Sequence, residues 1–525
     1  LIGRLLLKST SDSETDANIF EIVNHWNDAI DLIIDPLERM KLAKLNLTAG
    51  QKAKSSAAYE SALKYVNTGI SLLLHNGWQT QYDLALALYT VGAESALLYG
   101  DYPQMDALIE AVLHHAKEIL DTIKIYKVKI QGSIVQNQQQ DCLDTGLSVL
   151  QQLGVPLETQ PPNRVESIQE LIHLPEMDDP YKLAATDILI DVITPAWTLN
   201  PEIFQQTIFT LVNLSFTCGH CPATAFGYAW YGTFLCETLG DIDSGYQFGL
   251  LALQLLDKFD ANGLRSSVND LFATHIGHWK DHTRTTLPFH LEGLRHGLET
   301  GNLEYAGYGA AEYCQYLFLV GESLDAVEEK CRYYLALIQK LQLKFHILYL
   351  APWQQGVMNL RRDFDGQSTQ LIGECYDERE HLQRIVEENQ LTLGFCNFFV
   401  KALLCFLFAD YEKAIEYSRI ALQNRAGVFG TYFIPTTVFY ASLSLLANYS
   451  NVESVQQQQY RQQIIENLLS LETCATDAPM NHEHKFNLVK AEYCRVLGQN
   501  HEAIDLSLIH ISEPTRLRRI SYAVF

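Results

Sequence analysis

The chain has 525 residues, 47% hydrophobic and 19% charged, a globular balance that excludes global disorder. Its net charge of −24 is spread along the chain, which argues against nonspecific nucleic-acid or anionic-membrane binding, since both need a positive field. Eleven cysteines, an odd number scattered along the chain, read as reduced core thiols of a cytoplasmic protein and not as a disulfide framework.

Residues 1–46 hold short amphipathic pieces around Ile2–Leu7 and Ile19–Trp26, separated by a polar Ser/Thr/Asp segment, and read as the exit from an upstream domain. The start at Leu1 shows no basic-plus-apolar leader, so nothing there indicates secretion. Residues 47–154 form a first helical-repeat block, in which Ala57, Ala58, Tyr59, Ala62 and Tyr65 recur at helical spacing. Residues 155–179 carry Pro156, Pro161 and Pro162, which cannot sit inside a regular helix and mark a linker or bend. A second helical-repeat block spans 180–505, with helices expected over 225–239, 246–259, 305–320 and 325–343. Interruptions are expected at 363–366 and 424–427, and the glutamine run 456–459 is too short to imply disorder. The richest apolar stretch, 395–411, contains Lys401 and Asp410 and falls short of a bilayer-spanning run of roughly 18–20 residues. It reads as buried helix, and no membrane span is expected.

The segment Phe408-Ala-Asp-Tyr-Glu-Lys-Ala-Ile-Glu-Tyr-Ser-Arg-Ile-Ala-Leu-Gln423 reads as a tight turn feeding the second helix of a tetratricopeptide-like hairpin. Ala414 and Ala421 lie two turns apart on one face and admit a close neighbouring helix, Ile415, Ile420 and Leu422 add bulk, and Tyr411 can wedge between the pair. Variants recur at Leu98-Tyr-Gly-Asp-Tyr102, Leu239-Gly-Asp-Ile242, Val320-Gly-Glu-Ser-Leu324 and Leu497-Gly-Gln-Asn500. The expected fold is therefore all-α, a tetratricopeptide-like superhelical array of antiparallel helix hairpins with more than twenty helices and few strand signals.

Several constellations bear on chemistry. Cys218-Gly-His-Cys221 resembles a redox dithiol, but Thr217 and Pro222 flank it between two helices and it lacks a second pair for zinc, so turn cysteines are the preferred reading. His275, His278 and His282 fit one helical face and a metal-ligating spacing, yet Trp279-Lys280 among them points to packing. His482-Glu-His484 and His114-His115 read as surface positions. Tyr228, Trp230 and Tyr231, with Tyr333-Tyr334, read as core in preference to a ligand groove. No phosphate-binding loop, kinase catalytic loop or nucleophile elbow is present, and Asp363-Phe-Asp-Gly366 matches a kinase metal-binding tripeptide only superficially. No catalytic, cofactor-binding or metal residue is assigned, and the segment is expected not to be an enzyme.

Residues 506–525, which include Leu506-Ser-Leu-Ile-His-Ile-Ser-Glu-Pro-Thr-Arg516 and Ile520-Ser-Tyr-Ala-Val-Phe525, look like the translation of a sequencing adapter and are expected not to be natural. They hold three basic residues and one acidic, so the remainder carries −26.

Longer phrases carry a family resemblance: Leu47-Thr-Ala-Gly-Gln-Lys-Ala53, Tyr59-Glu-Ser-Ala-Leu-Lys-Tyr65, Leu174-Pro-Glu-Met-Asp-Asp-Pro-Tyr-Lys-Leu-Ala184, Ala225-Phe-Gly-Tyr-Ala-Trp-Tyr231 and His278-Trp-Lys-Asp-His282. With others they resemble the helical region of giant bacterial, cyanobacterial-type multi-kinases. In that family a serine/threonine kinase and a STAND-type AAA ATPase precede the array, and a GAF sensor and histidine kinase often follow. The resemblance implies that 1–46 is the end of a STAND ATPase module and that the array is a right-handed stack. It implies a regulatory scaffold linking ATPase and kinase domains to sensor and histidine-kinase output, with ATP and Mg belonging to the parent's other domains and none bound here. Two alternatives stand beside it: the sensor arm of a STAND-type transcription regulator, and a Cys/His redox or metal protein.

Overall fold

The computed structural model describes residues 18–136, 138–163, 165, 167–361 and 369–512, with side chains to residue 507. Asp363–Gly366, Ile2–Leu7 and residues 513–525 lie outside the described residues. Among those described, every extended element is helical, and β pairing is confined to two isolated bridges, Glu176 with His220 and Ile372 with Asp377. The fold is all-α, built of tetratricopeptide-like antiparallel hairpins.

The chain divides into two compact units, residues 1–163 with 175–220, and 164–174 with 221–525. The first contains α1 (Ile19–Asn27), α2 (Pro36–Ser55), α3 (Tyr59–Leu72), the single turn α4 (Gly77–Thr80), α5 (Tyr82–Tyr99), α6 (Tyr102–His115), α7 (Ile119–Val135), α8 (Gln139–Gln152), α9 (Pro180–Leu199) and α10 (Pro201–Cys218). Leu42, Val66 and Leu88, from α2, α3 and α5, meet in one buried cluster. Proline opens α9 and α10, where its missing N–H would be unpaired in any case, and Asp179 and Asn200 cap them by accepting from Tyr181 N at 2.8 Å and Glu202 N at 3.0 Å.

The second unit contains α11 (Pro222–Phe234), α12 (Ile242–Lys258), α13 (Asn262–Leu271), α14 (Leu287–Thr300), α15 (Leu303–Leu319), α16 (Leu324–Lys340), α17 (Lys344–Arg361), α18 (Glu378–Glu387), α19 (Leu391–Leu407), α20 (Tyr411–Gln423), α21 (Phe433–Asn448), α22 (Ser454–Asp477), α23 (Pro479–Val496) and α24 (Asn500–Ser512). Residues 506–512 thus continue a helix.

The recurrent turn has a simple mechanism. Gly100, at φ +88°, ends α5 in the left-handed conformation that an L side chain resists, and the next residue, Asp101, caps α6 by accepting from Gln104 N at 3.1 Å. One dipeptide therefore closes a helix and opens the next. Gly240 and Asp241 do the same between α11 and α12, with Asp241 accepting from Ser244 N at 3.3 Å. Between α14 and α15 the pair is Gly301 and Asn302, a turn that the sequence motifs did not include. In the hairpin of α19 and α20 the left-handed position falls on Ala409, at φ +61°, and Asp410 caps α20 through Lys413 N at 3.4 Å. Ala414, Ser418 and Ala421 are buried along α20, and Tyr411 packs its ring 6.0 Å from Phe406, as the sequence led us to expect.

Of the stretch expected as a buried apolar helix, 395–411, α19 takes in 395–407 and is buried from Leu393 to Cys405, whereas Leu407 and Phe408 are exposed and the chain turns into α20, because the left-handed Ala409 ends the helix there. Its one cation, Lys401, is 5% exposed and reaches both carboxylate oxygens of Glu378 at 2.6 Å. Among the described residues no helix is long and apolar enough to cross a membrane. All the cysteines except Cys218 and Cys375 are buried.

Candidate functional site

The polar chemistry of the second unit is concentrated in its interior, where the end of α13 fails to continue as a regular helix. From Phe272 to Ile276 the backbone widens into one π-type turn, then tightens over Gly277–Trp279 and again over Thr283–Thr286. This break overturns the expectation that His275, His278 and His282 share one helical face. His275 donates through Nδ1 to the Phe429 carbonyl at 2.7 Å and His278 through Nε2 to the Gly430 carbonyl at 3.0 Å, while the Nδ1 of His282 accepts from Arg284 N at 3.1 Å. Each ring serves a different backbone group, and the trio does not converge on an ion. Burial lowers the pKa of His275 and of His278 to about 4, so both are neutral donors at neutral pH.

The irregular segment is held by α23. Asn481, 2% exposed, donates to the carbonyls of His278 at 2.7 Å and Asp281 at 2.8 Å and accepts from Thr283 N at 2.9 Å. Three backbone groups that a regular helix would have paired are thereby satisfied by one side chain. Lys485, one turn on, is buried, donates to the Asn481 carbonyl at 2.9 Å and to the Tyr432 hydroxyl, and lies over the Tyr432 ring. His482 is fully buried, its ring 5.3 Å from that of Tyr432. The surface reading of His482 is therefore corrected: α23 is packed at Asn481, His482 and Lys485, which no simple two-faced pattern describes.

Beside this segment lies a second polar group, formed by consecutive helices. Asp270 ends α13, His290 sits in the second turn of α14, and Glu312 lies mid-α15; all three are buried, and one donor atom from each falls within 4.8 Å of the others. The helices approach closely because Gly309 has no side chain: a Cβ there would stand 2.7 Å from the His290 carbonyl oxygen. Glu312 accepts from the Thr274 hydroxyl and from Tyr349 Oη at 3.2 Å. The Nδ1 of His290 is 3.7 Å from Glu312 Oε2, too far for a hydrogen bond, and neither ring nitrogen has a hydrogen-bond partner; nor has Oδ1 of Asp270. An unpaired buried polar group costs about 1–3 kcal/mol, so this cluster is expensive to maintain as it stands. Burial and the neighbouring carboxylate push Asp270 well up, burial raises Glu312, and burial lowers His290 to about 3. The arrangement can hold a proton between two carboxyls or a small cation. Each member is inconspicuous in sequence; the signal present was Glu312, a glutamate set among the small and aromatic residues in the middle of α15.

The other singled-out residues are dispersed. Cys218 closes α10, half-exposed, and Cys221 is buried at the N-cap of α11, where Cys221 N donates to Thr224 Oγ1 at 3.1 Å. Tyr228, Trp230 and Tyr231 are core, whereas Tyr333 is 66% exposed and only Tyr334 is partly covered. His115 stacks on Trp78 at 4.7 Å at the exposed end of α6.

Stacked antiparallel helix hairpins define a helical-repeat protein. Comparison with known proteins places one signalling protein beside it: the chain is 22% identical over 388 residues to the "Hybrid signal transduction histidine kinase G" of Dictyostelium discoideum, an alignment covering 66% of this chain and 11% of that protein. The chain therefore spans about a tenth of the length of the curated relative it matches. No family model matches. Among solved structures, yeast Tom70 aligns over 92% of this chain and 95% of its own at 14% identity and a TM-score of 0.28. A circular tandem repeat protein aligns over 94% and 95% at 10% identity and a TM-score of 0.14. At those scores the fold description rests on the helix geometry itself.

Proposed function

We propose that the chain is a regulatory and protein-interaction scaffold within a larger signal-transduction kinase, linking ATPase and kinase domains to downstream sensor and histidine-kinase output. The observation that carries this reading is the 388-residue likeness to a hybrid histidine kinase, a likeness that occupies only 11% of that protein and so corresponds to one segment of a much longer signalling chain. The architecture supports it physically. In hairpin arrays each repeat contacts chiefly its neighbours, which leaves long exposed faces for other domains and lets small changes at successive interfaces add.

On this reading the segment itself does no chemistry: ATP and Mg are used by other domains of the parent, its partners are proteins and intramolecular domains, and it works in the cytoplasm. The test is to incubate the purified chain with γ-labelled ATP and Mg2+. The expected result is neither phosphate release nor label on the chain. Turnover that co-purifies with the monomeric chain and disappears with it on heating would overturn the scaffold reading.

A further inference from the structure

We propose that Asp270, His290 and Glu312 form a structural site for one first-row divalent metal ion of the zinc, manganese or iron(II) class. Two observations carry this independently of the signalling reading. The three side chains offer donors within 4.8 Å of one another from three consecutive helices, and His290, fully buried, points Nδ1 at Glu312 with neither ring nitrogen hydrogen-bonded.

Donor chemistry selects the ion. One neutral imidazole and two carboxylates suit first-row divalent metals; calcium and magnesium prefer all-oxygen sets of higher coordination. A tetrahedral ion about 2.0–2.2 Å from each donor sets the donors roughly 3.3–3.6 Å apart, and the His290 to Glu312 separation of 3.7 Å is already close to that. Two carboxylates and a dication sum to zero charge, which removes the penalty of an anionic pair in a dry interior. The Thr274 hydroxyl donates to Glu312 Oε2, the same carboxylate oxygen that faces His290 Nδ1. Metal ligands bind in their deprotonated forms, so uptake releases protons and tightens as pH rises.

The site would clamp α13, α14 and α15 just where α13 gives way to the irregular segment. Because the ligands are buried, the ion enters during folding and a chelator removes it slowly from the folded chain.

The test uses the full chain, prepared without a histidine tag. Metal content is measured after desalting; the chain is then stripped by unfolding with a chelator and refolded with Zn2+, Mn2+ or Fe2+ present, each separately. We expect close to one ion per chain, X-ray absorption showing only nitrogen and oxygen donors, and at least a tenfold loss of affinity in Glu312→Gln and in Asp270→Asn, both near-isosteric. Should those variants misfold, the unmodified chain decides alone: the preferred ion raises its melting temperature and releases protons on binding. Absence of any bound ion together with no thermal shift for all three metals overturns the site. So does a sulfur shell, or metal content unchanged in both folded variants.

Discussion

Replacing Asn481 by alanine isolates the contact that holds the irregular segment after α13. The side chain makes three buried hydrogen bonds, to His278 O, Asp281 O and Thr283 N, at 2.7, 2.8 and 2.9 Å. Each is worth a net 0.5–1.5 kcal/mol or so, and the backbone groups left behind cannot pair with one another, which places the loss at about 3 kcal/mol. Global unfolding is a poor readout, because a chain of two compact units need not unfold in one step. Hydrogen exchange resolved by peptide is better suited. In the regime where exchange follows the opening equilibrium, about 3 kcal/mol corresponds to roughly a 150-fold faster exchange for the amides of 277–286. Asn467→Ala, which removes a bond to Ser442 Oγ at 2.9 Å and one accepted from Gln463 Nε2 at 3.1 Å, should leave that peptide unchanged. An Asn481→Ala chain whose 277–286 peptide exchanges within threefold of the unmodified chain would refute the reasoning.

Ala409→Gly should raise stability by up to about 1 kcal/mol, since it places the residue suited to φ +61° at the α19 to α20 turn; Gly100→Ala, with open space around it, should cost about 1–2 kcal/mol through backbone strain alone. Urea midpoints of the transition assigned to each unit measure both. Glu378→Ala should cost about 3–5 kcal/mol by stranding the buried Lys401 ammonium, whereas replacing both by hydrophobic residues of similar size should be nearly neutral; the double-mutant comparison reads the difference. His278 has its pKa lowered from 6.5 to about 4, so the unfolded chain binds the extra proton between those values. Its contribution is present above pH 6.5 and is lost as pH falls toward 4, at most about 3 kcal/mol. His278→Gln should therefore flatten the pH dependence of stability by about one proton over that window, as denaturation at a series of pH values will show.

The hairpins were legible because their signal is local. A glycine that ends one helix followed by a carboxylate that caps the next leaves its mark in adjacent residues, and Ala409 was still readable because Asp410 and the small faces of Ala414 and Ala421 remained. The turn at Gly301 and Asn302 obeys the same physics, with asparagine in place of aspartate as the cap. What periodicity could not reveal was the break at Phe272–Ile276: the sequence keeps helical character there, and the departure is stabilised from outside by Asn481 and by the carbonyls of Phe429 and Gly430. His482 was misread for a related reason, since partners distant in sequence bury it. The group of Asp270, His290 and Glu312 has no spacing signature at all, because three separate helices deliver one ligand each and Gly309 governs their approach.

The central claim, that the chain is a regulatory segment of a signalling kinase, is tested most directly by sequencing the uninterrupted gene on both sides of residues 18–505. The account predicts kinase and ATPase modules upstream and a sensor with a histidine kinase downstream. A helix-turn-helix output domain following the array would contradict it and favour a transcription regulator.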